Sequence, residues 1–391
     1  MMKSNTAKGW GTKGSKFWMQ MIASFPKLEK HFIDLINHAE GKDARNLASY
    51  KWISPIPSEE EEFKEYSLNG IEIETLLGRA KDSTGLWKVW PDDPKKEFWP
   101  DRQPQWDGIL VYNEDSHKTI YIIEAKAYPE EMHTEISVHT EDNEHEEVAE
   151  SDVTPKPDIV TMDEKKDSDD TNSYDMRVNS IKRTYKALSK GGSIHLWYGK
   201  TAEGKRIDFD GKPLKKGQRR SSETYNNKKY KYHSYYQLAN RLTFLKYLRD
   251  EGYDVRLVLL NFVHDYTHGM YQGELGRLHQ KDKAMAKSKA ASVWKESYES
   301  AWRQMAGLSS APADVLVIDY DICTVLPGFQ FEYNEKTDSQ SGVMTKYFSY
   351  KEDDEVDLKT GCFVLENGEF HCYTDENKKE KLKKLEKLLR G

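Results

Sequence analysis

The sequence predicts a mixed α/β fold, on three observations. Two β-rich runs, 108–112 and 119–124, flank the turn-type cluster Asn113 to His117 and read as a hairpin. The leucine-striped stretch Tyr235 to Arg249 is followed closely by the apolar run Val255 to Val263, a helix and then a strand buried on both faces. Between Asp314 and Thr374 several short strands recur, so a β-rich region is expected towards the C-terminus.

The remaining elements follow in chain order. Between Lys16 and Ala39, residues Phe17, Met21, Phe25, Leu28, Phe32, Leu35 and Ile36 recur at near-helical spacing. Ser54-Pro55-Ile56-Pro57 reads as a link. Ser58 to Glu61 puts acids in a first turn, which predicts a helix running, with a break at Gly70, towards Ala80. Trp87 to Trp90 reads as a short strand and Trp99-Pro100-Asp101 as the start of a turn. Residues 130–175 carry about 17 acids against 3 bases and have the composition of a mobile insertion. Residues 177–246 reverse the sign, with about 18 bases against 4 acids. They hold a helix near Val178 to Leu188, a strand from Ile194 to Tyr198 and a basic loop from Gly199 to Lys231. Lys281 to Ala306 reads as a helix, Asn367-Gly368 as a hairpin turn, and Asn377 to Leu389 as an amphipathic helix that packs on the body or mediates self-association, so a homo-oligomer is among the expectations. Three segments result: an N-terminal helical segment 1–57, a core 58–270 and a C-terminal segment 271–391.

Composition narrows the function classes. The 391 residues have a mean hydropathy of −0.86 and include no long apolar run, which excludes an integral helical membrane protein. Aromatic residues at 12% argue that much of the chain folds. Three cysteines, Cys323, Cys362 and Cys372, make no disulfide framework, so a reducing, cytoplasmic setting is the expectation. The net charge of −7 would argue against nucleic acid. That total, however, conceals a strongly basic stretch, in which Lys228, Lys229 and Lys231 alternate with tyrosines as a phosphate-and-base surface requires. The acidic insertion is either a solvated linker or a charge mimic lying over that stretch.

The hairpin carries the chemistry. A turn centred on Asp115-Ser116 makes facing residues sum to 231, so Asp107 faces Glu124. Lys126 lies two residues further along on the same face. Two carboxylates suit Mg²⁺ or Mn²⁺, and a metal beside an ammonium suits phosphodiester hydrolysis.

Asp107, sixteen intervening residues and then Glu124-Ala125-Lys126 resemble the PD-(D/E)XK nuclease superfamily, the restriction-endonuclease-like fold. The phrases Phe98 to Asp107, Glu124 to Ala127 and Tyr235 to Arg241 are similar to a group of uncharacterised bacterial members. The resemblance covers roughly 58–270. It implies a central mixed sheet in the order α-β-β-β-α-β, with the acid at the start of the second core strand and the Glu-x-Lys on the third. It implies Mg²⁺ held by Asp107, Glu124 and the Ala125 carbonyl, with Lys126 positioning water. It further implies a first-helix glutamate, Glu74 with Glu72 as rival, and a helix in which Gln237 and Arg241 contact a phosphate. Gln237 is followed at four residues by Arg241 where some members have tyrosine, and no proline precedes Asp107.

The expected function is thus a metal-dependent nuclease hydrolysing phosphodiester bonds, DNA favoured, in restriction, repair or phage defence. The rivals are a non-catalytic nucleic-acid- or partner-binding module and a hydrolase of smaller phosphate esters. Asp107, Glu124 and Lys126 could also be a plain salt-bridge set, Gln237 and Arg241 a solvated helix face, and His264 with His268 a loop pair without a third zinc ligand.

Overall fold

The computed structural model describes residues 14–42, 45–56, 63–68, 87–101, 103–114, 117–132, 134–139, 170–188, 195–196, 200–201, 229–265, 278, 281–306, 308–326, 329–337, 344–352, 361–366 and 369–372. Glu72, Glu74, Lys228, His268 and the terminal stretch 377–389 lie outside them.

A five-stranded mixed sheet organises the molecule. Its strands are β1 (Tyr50–Ser54), β2 (Gly108–Glu114), β3 (His117–Lys126), β4 (Asp254–Val263) and β5 (Val315–Asp321), adjacent in that order. β1–β2 and β2–β3 pair antiparallel, whereas β3–β4 and β4–β5 pair parallel. Helices α1 (Gly14–Ser24) and α2 (Pro26–Glu40) precede β1, and α3 (Asp170–Leu188) and α4 (Tyr236–Asp250) lie between β3 and β4. Helix α5 (Lys283–Ala306) joins β4 to β5.

The side-chain period of two divides the core. Ile120 and Ile122 of β3 with Val255, Leu257 and Leu259 of β4 belong to one apolar cluster, which includes Leu238, Leu242 and Leu245 of α4 and Trp294, Tyr298 and Trp302 of α5. Tyr121, Ile123 and Ala125 with Val258, Leu260 and Phe262 belong to the other, which takes in Phe17, Met21, Leu28 and Phe32 of α1 and α2. β4 is therefore covered on both faces, as its unbroken apolar run requires. Gly252, at φ +85°, ends α4 in a left-handed turn that a side chain would strain.

Several expectations change. The N-terminal helical region is two helices that meet at Phe25, where Pro26 starts the second. The helix expected from Ser58 is not continued in Phe63–Leu68, which holds a turn and a two-residue strand, Tyr66–Ser67, paired with Gln105–Trp106. The acidic insertion starts in the turn Pro129–Met132 and continues as a strand, Thr134–His139, paired antiparallel with Lys229–Ser234 within the basic stretch. Its last residues already belong to α3. The three expected segments are not separate units, because β1 comes from the first, β5 from the last, and both complete the same sheet. Beyond β5, four strands between Phe329 and Cys372 form an antiparallel sheet of their own, with Glu366 paired to Glu369; the expected Asn367-Gly368 turn lies outside the described residues. Among the described residues, no helix is long and apolar enough to cross a membrane.

Candidate active site

On the face of β3 that carries Ile120 and Ile122, the next two positions are Glu124 and Lys126. Polar residues therefore replace the apolar column where the strand reaches its carboxyl end. The hairpin register is the one read from the sequence, with Gly108 opposite Ile123 and Ile109 opposite Ile122. One residue further, Asp107 stands opposite Glu124, and its Oδ2 accepts the Ala125 N–H at 2.7 Å. A second pairing extends the row. Tyr66 faces Trp106, and the neighbouring Glu65 lines one recess with Asp107.

Two cations enclose Glu124, which is 4% exposed. Lys126 donates from Nζ to Oε1 at 2.5 Å, and Arg241 donates from Nε to Oε2 at 2.6 Å. Lys126 also donates to the Gln237 Oε1 at 3.0 Å. Glu131, in the short turn Pro129–Met132 after β3, accepts the Ala127 N–H at 2.7 Å and adds a further negative charge near Lys126.

The charge balance perturbs every member. Burial and the neighbouring Glu124 push the Asp107 carboxyl up to about 8, with Glu65 acting in the same direction and Lys126 against it. Burial raises Glu124 as well, but Arg241 and Lys126 outweigh it and leave its carboxyl below the usual range. Burial would lower Lys126, yet Glu124, Asp107 and Glu131 hold its ammonium above the ordinary value. Burial raises Glu65 and Glu131, opposed by Lys16 and Lys126 respectively.

Arg241 departs from its expected role. It lies on α4 at 6% exposure, inward rather than on a solvated face. Besides Glu124, its guanidinium donates to the Asn240 Oδ1 at 3.0 Å and the Gln105 carbonyl at 2.7 Å, and it sits 4.6 Å from the centre of the Trp106 ring. A fork committed in this way positions Glu124 and is not free for a phosphate. Gln237 does reach the site, through Lys126. Lys229 and Lys231 lie in the strand Lys229–Ser234, which ends just before α4. His264 pairs through Nδ1 with the Asp321 Oδ1 at 2.7 Å, away from the Glu124 row.

Sequence reasoning missed Glu65, Glu131 and Lys16. Glu65 shares one recess with Lys16, Gln20 and Asp107. Its signal was the Tyr66-Ser67 pair that strand Gln105–Trp106 recruits, too short to read as a strand.

The donor set fits a small hard cation. Asp107 leaves Oδ1 without a hydrogen bond among the described residues, and burial together with the neighbouring Glu124 and Glu65 carboxylates favours its protonated form against the pull of Lys126, a balance that a bound cation would tip towards the carboxylate. Asp107 and Glu124, with the Ala125 carbonyl between them in sequence, would hold it. Among the described residues, no three His, Cys, Asp or Glu side chains already enclose one point. Mg²⁺ retaining most of its waters suits two carboxylates better than a metal that needs a full protein cage. No family model, curated protein or solved structure matches this chain.

Proposed function

We propose that the chain is a metal-dependent nuclease of the PD-(D/E)XK type, acting on phosphodiester bonds with DNA as the favoured substrate. One observation carries the reading: Asp107, Glu124 and Lys126 converge at the carboxyl end of β3, and Lys126 is held between Glu124 and Gln237. The element order α2-β1-β2-β3-α3-α4-β4 supports it, one helix more than the expected order between β3 and β4, with the acid just before the second strand and Glu-x-Lys on the third.

A bound Mg²⁺ or Mn²⁺ would supply a polarised phosphoryl oxygen and a more acidic water. The residues of the chain do the rest. Arg241 fixes the Glu124 carboxylate by two-point attachment to the sheet and to Trp106. Lys126, kept fully protonated by three acids, orients the attacking water and meets the charge developing on the phosphoryl oxygens. Gln237 fixes the lysine through its carbonyl oxygen, leaving its amide nitrogen to donate to a phosphate oxygen.

The test is cleavage of plasmid and single-stranded DNA by wild type, Asp107→Ala and Lys126→Ala with Mg²⁺, Mn²⁺ or EDTA. The expected result is metal-dependent cleavage by wild type and at least a hundredfold loss in both variants. A second reading, a non-catalytic nucleic-acid-binding module, draws on the fact that both Glu124 oxygens already take cationic donors. Salt-sensitive DNA binding without cleavage would decide for it.

A further inference from the structure

Helix α1 lies across the sheet beside the candidate site and is fixed there at two points. The Met19 methyl comes up against Gly108, where the missing side chain admits it: a Cβ at Gly108 would stand 2.8 Å from that methyl. Trp18 donates from Nε1 to the Asp265 Oδ1 at 2.9 Å, just past the carboxyl end of β4. Phe17, Met21 and Ile22 are buried in the apolar cluster on that side of the sheet. Gly108 directly follows Asp107, so the helix is held one residue from a candidate metal ligand.

Lys16, Met19 and Gln20 share one face of α1, at i, i+3 and i+4. That face closes the recess that Glu65 and Asp107 also line. The segment carrying Glu65 is tied to β1, because the Ser54 hydroxyl donates to the Lys64 carbonyl at 3.0 Å. The Lys16 Nζ stands 3.9 Å from the Glu65 Oε1, beyond hydrogen-bond length, and its side chain is 28% exposed. Lys126, by contrast, is 13% exposed and held at 2.5 Å by Glu124 and 3.0 Å by Gln237. One ammonium is locked in place, and the other is loosely paired and open to solvent. A partly exposed pair at that length is worth little, so a stronger anionic acceptor can take the cation from Glu65 at small cost.

The two ammoniums also stand at opposite ends of the acids. Lys16 opposes the raised Glu65 carboxyl, whereas Lys126 acts on Asp107, Glu124 and Glu131. Phosphoryl displacement sets the entering and leaving oxygens roughly in line, on opposite sides of phosphorus. With Lys126 at the entering water, the far side of the phosphate falls towards Lys16.

We infer that Lys16 is a second substrate-contacting cation of the site, donating to a phosphate oxygen on the side of Asp107 away from Lys126. This rests on the nuclease reading and adds a residue from outside the stretch 58–270 that resembles the superfamily. Glu65 holds the ammonium beside the site until the phosphodiester arrives and competes for it.

The experiment compares wild type, Lys16→Gln and Lys16→Arg, full chain in each case, by three readouts. Thermal melting checks the fold. Binding of a 30-base-pair duplex in EDTA across a salt series counts the phosphate contact without turnover. Cleavage of the same duplex in a Mg²⁺ titration gives the rate and the metal requirement. The expected result for Lys16→Gln is an unchanged melt, a slope of log affinity against log salt smaller by about 0.9, and a rate lower by about tenfold or more at unchanged Mg²⁺ half-saturation. Lys16→Arg keeps a cation within reach and is expected to restore the slope and part of the rate. An unaltered slope and rate in Lys16→Gln overturn the contact and leave the nuclease reading standing. A lowered melt that Lys16→Arg does not restore, or a shifted Mg²⁺ half-saturation at unaltered slope, makes Lys16 only the counter-ion of Glu65 and overturns the contact as well. The expected slope change without metal-dependent cleavage by wild type overturns the nuclease reading and keeps the phosphate contact. Absence of any DNA binding by wild type overturns both.

Discussion

Arg241 and Glu124 form a buried ion pair 117 residues apart in sequence, at 2.6 Å, with neither side chain more than 8% exposed. α4 is thereby tied to β3 through the residue that carries the candidate chemistry. Removing one partner of such a pair strands a buried charge, which typically costs about 3–5 kcal/mol. Arg241→Ala is expected to lose stability in that range by urea denaturation. Arg241→Lys keeps the charge but cannot reproduce the three-way fork and should lose roughly 1–2 kcal/mol. A loss below about 0.5 kcal/mol in Arg241→Ala would show that Glu124 does not depend on it.

Asp107 predicts a pH dependence of stability in metal-free protein. Its folded carboxyl lies at about 8 against an ordinary 3.8, so the proton is bound more tightly in the folded state. The stability linked to that proton is complete below about pH 4 and is lost as pH rises through about 8. With EDTA present, the wild-type melting temperature should fall from pH 5 to pH 9. Asp107→Asn should flatten that fall and gain on the order of 2–4 kcal/mol relative to wild type at pH 9. A residual slope remains from Glu65 and Glu131, which are raised as well. Parallel curves for the two proteins would contradict the crowded-carboxylate picture.

Gly108 tests how closely α1 presses on the sheet beside Asp107. A Cβ built there would stand 2.8 Å from the Met19 methyl, 3.1 Å from the Ile123 Cδ1 and 3.3 Å from the Trp52 ring. Gly108→Ala should cost about 1–3 kcal/mol by overpacking. Met19→Ala in the same chain should return part of that loss, because the shortest contact is to the free end of a flexible side chain. A double-mutant cycle with no coupling between the two would place the strain elsewhere.

Much of the site was legible in the sequence because its parts are local. The hairpin register followed from the turn-type cluster and the period of two, and it set Asp107 opposite Glu124 before any tertiary contact was considered. α4 and β4 were legible from the leucine stripe and the unbroken apolar run, and both lie within a residue of their expected bounds. Gln237 was picked out only through the family resemblance, and the structure brings its Oε1 within hydrogen-bond reach of Lys126. The direction of Arg241 was not legible. An arginine on α4 can face a phosphate or a buried carboxylate, and only the depth at which the helix packs on Trp106 and β3 selects the second.

What the sequence by itself determined is the hairpin, the helix that follows the basic loop, and the spacing that puts two acids and a lysine on one face of the hairpin. Those features depend on hydrogen-bond period and turn chemistry, which act over a few residues. The tertiary structure decided which strands border the site, that β1 and β5 complete the sheet, and that Glu65 shares a recess with Asp107. These depend on pairings such as Tyr66 with Trp106 and Leu257 with Val315, in which long chain closures are compensated by burial of both sheet faces. No window of sequence contains that compensation, so the acid row around Asp107 could only be seen once the sheet was assembled.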